Sequence, residues 1–352
     1  MAAGQPEWAS FGVPDMDMNQ APYDSRETAA NERQPYEPVP DMPEVVRQGL
    51  AIKPFKALPG LPTPFLKDCE VPVPELGYLA QKNAHPRDSR LVFVGNDQVH
   101  KYFLDGRCDR TLSVTEFVGC FFSKFDAPAQ AVKTFQGRTF QSRQHQPAYD
   151  YYQCRGPQDI VKRWNHWRDL GTMLHANIED VYNQRPVQLH AENELAFKLF
   201  ETKMKEAYFV NWVPFRTEWG VFDDQLMITG QIDFCGLMRD ASGRVVLIDW
   251  KRCKSIPECS FERLRRLEPK RGYGCCNKID SCKYNKYALQ LNTYKYLLEK
   301  NYGLIVRRML IIRLHPNLKN KGADVRGVPD WQPLIHKMAE CRMQMLREAG
   351  LR

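Results

Sequence analysis

Asp233, Asp249 and Lys251 are charged residues set inside otherwise apolar strand-like runs, "ITGQIDFCGLM" and "RVVLIDWKRC". The link between the runs, Asp240-Ala241-Ser242-Gly243, has turn composition, so the two runs should form a hairpin. Antiparallel partners about a centre near Ala241 have residue numbers summing to 482 or 483. Asp233 and Asp249 sum to 482 and should face each other to within one residue. Directly opposed Cβ atoms lie ~5 Å apart. Side chains alternate along a strand, so Lys251 shares the face of Asp249, while Val246, Ile248 and Trp250 point to the other face.

Two carboxylates that close repel, so one gains a proton or the pair shares a cation. A hard oxygen site suits Mg²⁺ or Mn²⁺ and leaves positions open for water. Such an ion stabilises charge on a phosphoryl oxygen and lowers the pKa of bound water. The Lys251 ammonium could orient the attacking water or balance charge in the transition state. This set suits hydrolysis of a phosphodiester. The same residues could also form a plain cross-strand cluster in which Lys251 pairs with both aspartates.

The elements that must position these residues are legible on both sides. A long helical pattern runs from Pro157 to about Asn183, and a second from Glu192 to Ala207. "WVPFRTEWGVF" reads as a strand before the hairpin, with "GVFDDQ" as a turn. "KYALQLNTYKYLLEKNYG" reads as a helix ending at Gly303, "LIVRRMLIIRLHP" as a further strand, and Asp330 to Leu346 as a closing amphipathic helix. Helices therefore flank a central mixed sheet in an α/β arrangement. His175 and Glu179 are four apart on one helix face, so His175 can offer a nitrogen to the ion if that helix packs at the acid end of the hairpin. Gln290 and Tyr294 lie one turn apart; alone they read as a polar stripe. Glu218 could position the ion or water, or be a solvated strand residue.

Together these residues resemble the PD-(D/E)XK nuclease superfamily. "GQIDF" carries the first acid, Asp233, and Asp249-Trp250-Lys251 in "LIDWKRC" resembles the (D/E)-X-K element. "GTMLHANIE", around His175 and Glu179, and "QLNTY", with Gln290 and Tyr294, are similar to the helix motifs of the RecB-like exonuclease branch, in the same order. The resemblance spans about residues 160–315. It implies a restriction-endonuclease-like core, one or two Mg²⁺ ions (or Mn²⁺) among His175, Asp233 and Asp249, and a metal-bridging carbonyl from Trp250. It also implies that Gln290 and Tyr294 order the active site and contact nucleic acid. Some RecB-like nucleases hold an iron–sulfur cluster with three cysteines after the Gln/Tyr helix. Only Cys341 follows it here, so that pattern is not met.

Composition bounds the rest. The 352 residues carry a net charge of +8, with −4 over residues 1–90 and +12 over the remainder, so the folded part is basic and suits a polyanion. Thirteen of the 24 prolines fall in the first 75 residues, and residues 1–88 read as a disordered Pro-rich tail ahead of a domain over 89–352. "LVFVGNDQVHKYFLDG" reads as two strands about a Gly-Asn-Asp turn, Ser113 with Glu116 as a capping box, and the Gln-rich stretch 136–146 as a loop. No apolar run reaches the roughly 20 residues of a membrane span, and no signal or transit pattern opens the chain. An intracellular place, nucleus or cytoplasm, is expected. The 11 cysteines are scattered, so reduced thiols are expected rather than disulfides, and their spacing lacks paired zinc-ligand elements. Between Arg252 and Lys286 lie 10 Lys and Arg against 4 acids. Arg252, Lys254, Arg263, Arg265, Arg266, Lys270 and Arg271, interleaved with aromatics, could track a phosphate backbone and stack bases, or form a mobile solvated loop.

The reading drawn is a metal-dependent deoxyribonuclease, exonuclease-like, in DNA repair, recombination or replication. DNA, as single strands or duplex ends, is the expected partner, with RNA as the alternative polymer. The competing readings are a non-catalytic nucleic-acid-binding protein with a nuclease fold, and a Mg²⁺ enzyme acting on another phosphate ester.

Overall fold

The computed structural model describes residues 76–95, 100–108, 111–204, 212–240 and 242–350. In chain order the elements are α1 (Tyr78–Lys82), β1 (Leu91–Gly95), β2 (His100–Leu104), β3 (Leu112–Ser113), α2 (Val114–Gly119), α3 (Ala127–Gln136), α4 (Arg138–Arg143), α5 (Pro157–Tyr182), α6 (Glu194–Met204), β4 (Trp212–Asp223), β5 (Ile228–Met238), β6 (Arg244–Lys251), α7 (Phe261–Leu264), α8 (Lys283–Asn301), β7 (Ile305–Arg313), β8 (Asp324–Gly327) and α9 (Gln332–Glu348).

A six-stranded sheet runs β3-β5-β6-β7-β8, and β4 pairs along the other edge of β5. The β5–β6 hairpin is antiparallel and the β6–β7 pair parallel, which makes the sheet mixed. The parallel pair needs a crossover, and α8 supplies it. Alternation sorts the strands onto two faces. Val245 and Leu247 pack with Leu289, Tyr294 and Leu297 of α8 and Met338 of α9. Val246, Ile248 and Trp250 pack instead with Leu174 and Ile178 of α5 and Phe197 and Phe200 of α6. The expected α/β architecture, a mixed sheet between helices, is therefore the one observed. No helix among the described residues is long and apolar enough to cross a membrane.

Local signals hold where the chain contacts itself nearby. The Ser113 hydroxyl accepts from the Glu116 amide at 3.1 Å, and the Glu116 carboxylate accepts from the Ser113 amide at 2.8 Å, so the capping box starts α2. The described cysteines are free thiols.

Two expectations are corrected. The Gln-rich stretch is not a loop throughout: Arg138–Arg143 is helical, because Phe140 is buried in a satellite cluster with Ala131, Cys154 and Ile160. The folded domain also starts before residue 89. Leu79 is buried, Asn83 donates to the Phe215 carbonyl at 2.8 Å, and Asp88 accepts from Arg216 at 2.6 Å and from the Trp219 indole at 2.9 Å. Polar anchors to a distant strand leave no periodic trace, which is why this segment reads as tail. The rest of the Pro-rich leader, residues 1–75, and the turn at 96–99 lie outside the described residues.

Candidate active site

The site forms where β5 changes partner. Its start pairs with β3 at Ile228 and Thr229, and its end pairs with β6 from Phe234 to Leu237. The hairpin register sums to 482 at every observed pair, as in Phe234↔Ile248. Asp233 and Asp249 thus sit one step past the last ladder pair. There the Asp233 carboxylate replaces a backbone acceptor: Oδ2 takes the Trp250 N–H at 2.9 Å. Asp249 is buried to 1% exposure, and its Oδ1 accepts from the Lys251 ammonium at 2.7 Å. Its Oδ2 is buried with no hydrogen-bond partner. Leaving such an acceptor unsatisfied costs about 1–3 kcal/mol.

Glu218 enters from β4. The β4–β5 pairs Thr217↔Phe234 and Trp219↔Ile232 place Glu218 opposite Asp233. Glu218 has φ +42°, a left-handed backbone that a non-glycine residue adopts only when its surroundings hold it there. Gln231 helps to hold it, donating to the Glu218 carbonyl at 3.1 Å. His175 arrives from α5 on the opposite side of the sheet. Its Nε2 donates to the Trp250 carbonyl at 2.8 Å, and its Nδ1 lies 3.5 Å from Asp233 Oδ2 and 3.8 Å from Glu218 Oε1. Ligand atoms of His175, Glu218 and Asp233 all lie within 4.8 Å of one another.

This donor set fits a hard divalent cation. One imidazole nitrogen and carboxylate oxygens of His175, Glu218 and Asp233 converge. The buried Asp249 carboxylate, one oxygen of which has no hydrogen-bond partner, interacts electrostatically with Asp233 and His175. A carbonyl that fixes one imidazole nitrogen as donor frees the other as ligand, a common arrangement behind metal-binding histidines. The electrostatics agree. Burial lowers the His175 pKa, but Asp233 and Glu218 outweigh it and raise it to about 9. Burial raises Asp249 to about 6, with Lys251 opposing and Asp233 adding to the rise. Burial also raises Asp233, against His175 and Lys251. Burial works against the Lys251 charge, but Asp249 and Asp233 more than compensate and keep it protonated. Charges so crowded leave room for a cation to replace the His175 proton.

The clustered residues differ from the expected metal set: Glu218, read as accessory, joins His175 and Asp233, and Asp249 is not among the ligand atoms that lie within 4.8 Å of one another. The observed turn follows Asp223, later than the "GVFDDQ" turn read from the sequence, and this shift is what aligns Glu218 with Asp233. The Trp250 carbonyl, expected to bridge to the metal, accepts from His175 Nε2 at 2.8 Å. Glu179 is not in the cluster: its carboxylate pairs with Arg185 at 3.1 Å, since a one-turn spacing on a long helix leaves it past the end of the site.

Gln290 and Tyr294 reach the same face from α8. Gln290 donates to the Tyr294 hydroxyl at 3.5 Å, and Lys251 lies 4.8 Å from the ring centroid of Tyr287 on the same helix. Tyr294 is buried, and burial, with the Tyr102, Asp233 and Asp249 charges adding, raises its pKa well above the ordinary range. Tyr102 of β2 behaves alike: burial first, then Glu218 and Asp233, keep it protonated. Tyr102 and Tyr294 line a cleft of about 420 Å³ with Lys101, Thr111 and Glu116. No sequence signal pointed to Tyr102, which lies outside the motif-bearing region.

The basic insert divides. Arg252 donates to Asn193 at 2.6 Å, Lys254 pairs with Asp150 at 2.8 Å, and Arg263 pairs with Asp280 at 2.5 Å, so these three serve as braces. Arg265, Arg266, Lys270 and Arg271 are exposed.

No family model matches this chain, and no curated protein matches it. Among solved structures, a candidate exonuclease from Eubacterium rectale is 13% identical over 68% of this chain and 80% of its own, with a TM-score of 0.32. An alkaline exonuclease from Laribacter hongkongensis is 12% identical over 67% of this chain and 97% of its own, with a TM-score of 0.26. At these values the likeness carries no weight beside the geometry of the site.

Proposed function

We propose that this chain is a divalent-metal-dependent nuclease that hydrolyses phosphodiester bonds in DNA, with exonuclease action in repair, recombination or replication. The observation that carries the reading is the convergence of His175, Glu218 and Asp233 within 4.8 Å, taken with the partnerless buried oxygen of Asp249. A buried acceptor without a partner is costly in a fold, and a cation resolves it. His175 Nδ1, Glu218, Asp233 and Asp249 Oδ2 would hold Mg²⁺ or Mn²⁺. Bound there, the ion would polarise a phosphoryl oxygen and lower the pKa of a coordinated water.

The chain's own residues supply the rest. Lys251, whose ammonium donates to Asp249 Oδ1 at 2.7 Å, is placed as an electrostatic stabiliser. Its ammonium offsets negative charge developing on the phosphoryl oxygens. His175 is held by the Trp250 carbonyl with Nδ1 toward the carboxylates. The Tyr294 hydroxyl, protonated and set by Gln290, can donate to a phosphate oxygen. The basic surface favours a polymer over a small phosphate ester.

The test compares wild type with Lys251→Ala on end-labelled single- and double-stranded DNA, linear and circular, with Mg²⁺, Mn²⁺ or EDTA. Metal-dependent cleavage that the variant loses supports the reading, and intact circles mark a need for ends. Salt-sensitive binding with no cleavage by either protein would instead favour the non-catalytic binding protein.

A further inference from the structure

The insert between β6 and α8 shows its apolar side chains to solvent. Phe261, Leu264, Leu267 and Tyr273 are each 56–64% exposed. Arg265, Arg266 and Lys270 stand among them, exposed and without an ion pair among the described residues. The Arg265 guanidinium lies 5.2 Å from the centroid of the Phe261 ring. Glu268 is the one acid between Arg263 and Tyr273.

A loose loop exposes such residues at little cost, but this segment is braced. Asp280 is buried and accepts from the Ser260 amide at 3.2 Å and from Arg263 at 2.5 and 2.8 Å. Those donors hold its carboxyl below the ordinary range, Arg263 first, against burial. Arg271 and Asp280 form a backbone bridge, the Gly272 amide donates to the Ile279 carbonyl at 2.9 Å, and the Tyr273 amide donates to the Phe121 carbonyl at 2.7 Å. A Cβ on Gly272 would meet Cys276 at 2.7 Å and the Phe121 carbonyl at 2.9 Å, so the strap is seated tightly on the domain. Arg252, at its root, is tied to Asn193. The fold thus fixes four apolar side chains outward where it could have let them collapse.

Apolar groups held outward among unpaired cations fit a ligand with flat apolar faces on an anionic backbone. Single-stranded nucleic acid has both; in a duplex the faces are stacked away. The insert follows β6, the strand that carries Asp249 and Lys251, directly in the chain. We propose that Phe261 to Tyr273 is a single-strand platform: Phe261 and Tyr273 stack bases, and Arg266, Lys270 and Arg271 neutralise phosphates of the strand running to the metal centre. The role as substrate platform rests on the nuclease reading; the binding itself does not.

The test uses the full chain carrying Asp233→Asn, in EDTA, so that nothing is cleaved, with fluorescent oligothymidylate and a blunt duplex of equal length. Phe261→Ala with Tyr273→Ala should weaken oligothymidylate binding at least about tenfold, from the ordinary strength of base–aromatic stacking. Duplex binding should change less than about twofold. Phe261→Trp should retain single-strand affinity, which separates stacking from a folding defect. Arg266→Ala with Lys270→Ala should lower the log–log salt slope by about 1.4, two phosphate contacts at ~0.7 each. Unchanged oligothymidylate affinity in the aromatic pair overturns the proposal. So does loss confined to phosphatidylserine vesicles, or to self-association by light scattering. If wild type binds single strands through these residues yet cuts nothing with metal, the platform stands and the nuclease reading falls.

Discussion

Asp223 and Asp249 are two strand-end aspartates, 0% and 1% exposed, in opposite electrostatic states. Asp223 is saturated. Its Oδ1 accepts from the Gln225 and Leu226 amides at 2.8 and 2.7 Å, and its Oδ2 accepts from Asn301 and Lys300, both at 2.8 Å. Burial pushes its pKa up, but these donors prevail and hold it below the ordinary value. Asp249 has Lys251 on one oxygen and nothing on the other, and burial raises it to about 6. Equal burial therefore marks neither structure nor function. Completeness of the donor set does: a satisfied carboxylate staples the β4–β5 turn to α8, and an unsatisfied one leaves an acceptor that the proposed cation would fill.

Substitution at the two aspartates should separate activity from stability. Asp249→Asn should lower DNA cleavage by at least about 10³-fold, because a proposed metal ligand and the partner of Lys251 go together. Its melting temperature should stay within a few degrees, since the change also removes a poorly solvated charge. Asp223→Asn should do the opposite. Breaking a buried, fully paired network costs about 3–5 kcal/mol, measured as a fall in the urea midpoint. The protein that remains folded should cleave as wild type does. Equal stability losses in the two variants would erase the distinction.

Metal affinity sharpens the contrast through pH. Asp233 and Glu218 keep His175 protonated up to about 9, and an ion must displace that proton. The Mn²⁺ dissociation constant should tighten about tenfold per pH unit from 7 toward 8 and level off near 9, with one proton released. Calorimetry in buffers of different ionisation enthalpy reads both. Asp223→Asn should leave that slope unchanged. The smallest effect is expected at Glu179, whose carboxylate pairs with Arg185 outside the cluster: Glu179→Gln should alter the cleavage rate less than twofold.

Much of this site was legible because it depends on local periodicity. Alternation and one turn sufficed to bring Asp233 beside Asp249 with Lys251 on the same face, and 3.6-residue spacing put His175, Gln290 and Tyr294 on helices. The partners that crossed the sheet were not legible. The place of Glu218 opposite Asp233 follows from a register set by a second turn, and its left-handed backbone from the site itself. Tyr102 comes from a hairpin about 130 residues before Asp233, with only tertiary packing to connect them. The insert's charge was visible, but which cations brace it depended on Asp150, Asn193 and Asp280, and only the fold brings the first two near. The packed start of the domain, anchored by Asn83 and Asp88, was hidden for the same reason.

The most direct measurement is the anomalous scattering of Mn²⁺ soaked into crystals of the wild-type chain. An ion within about 2.0–2.4 Å of His175 Nδ1, Asp233 and Asp249, with Glu218 alongside or through water, is the expected result. An empty site at millimolar Mn²⁺ and pH 8, with His175 still bonded to Trp250 and Asp249 Oδ2 filled by water alone, would contradict it.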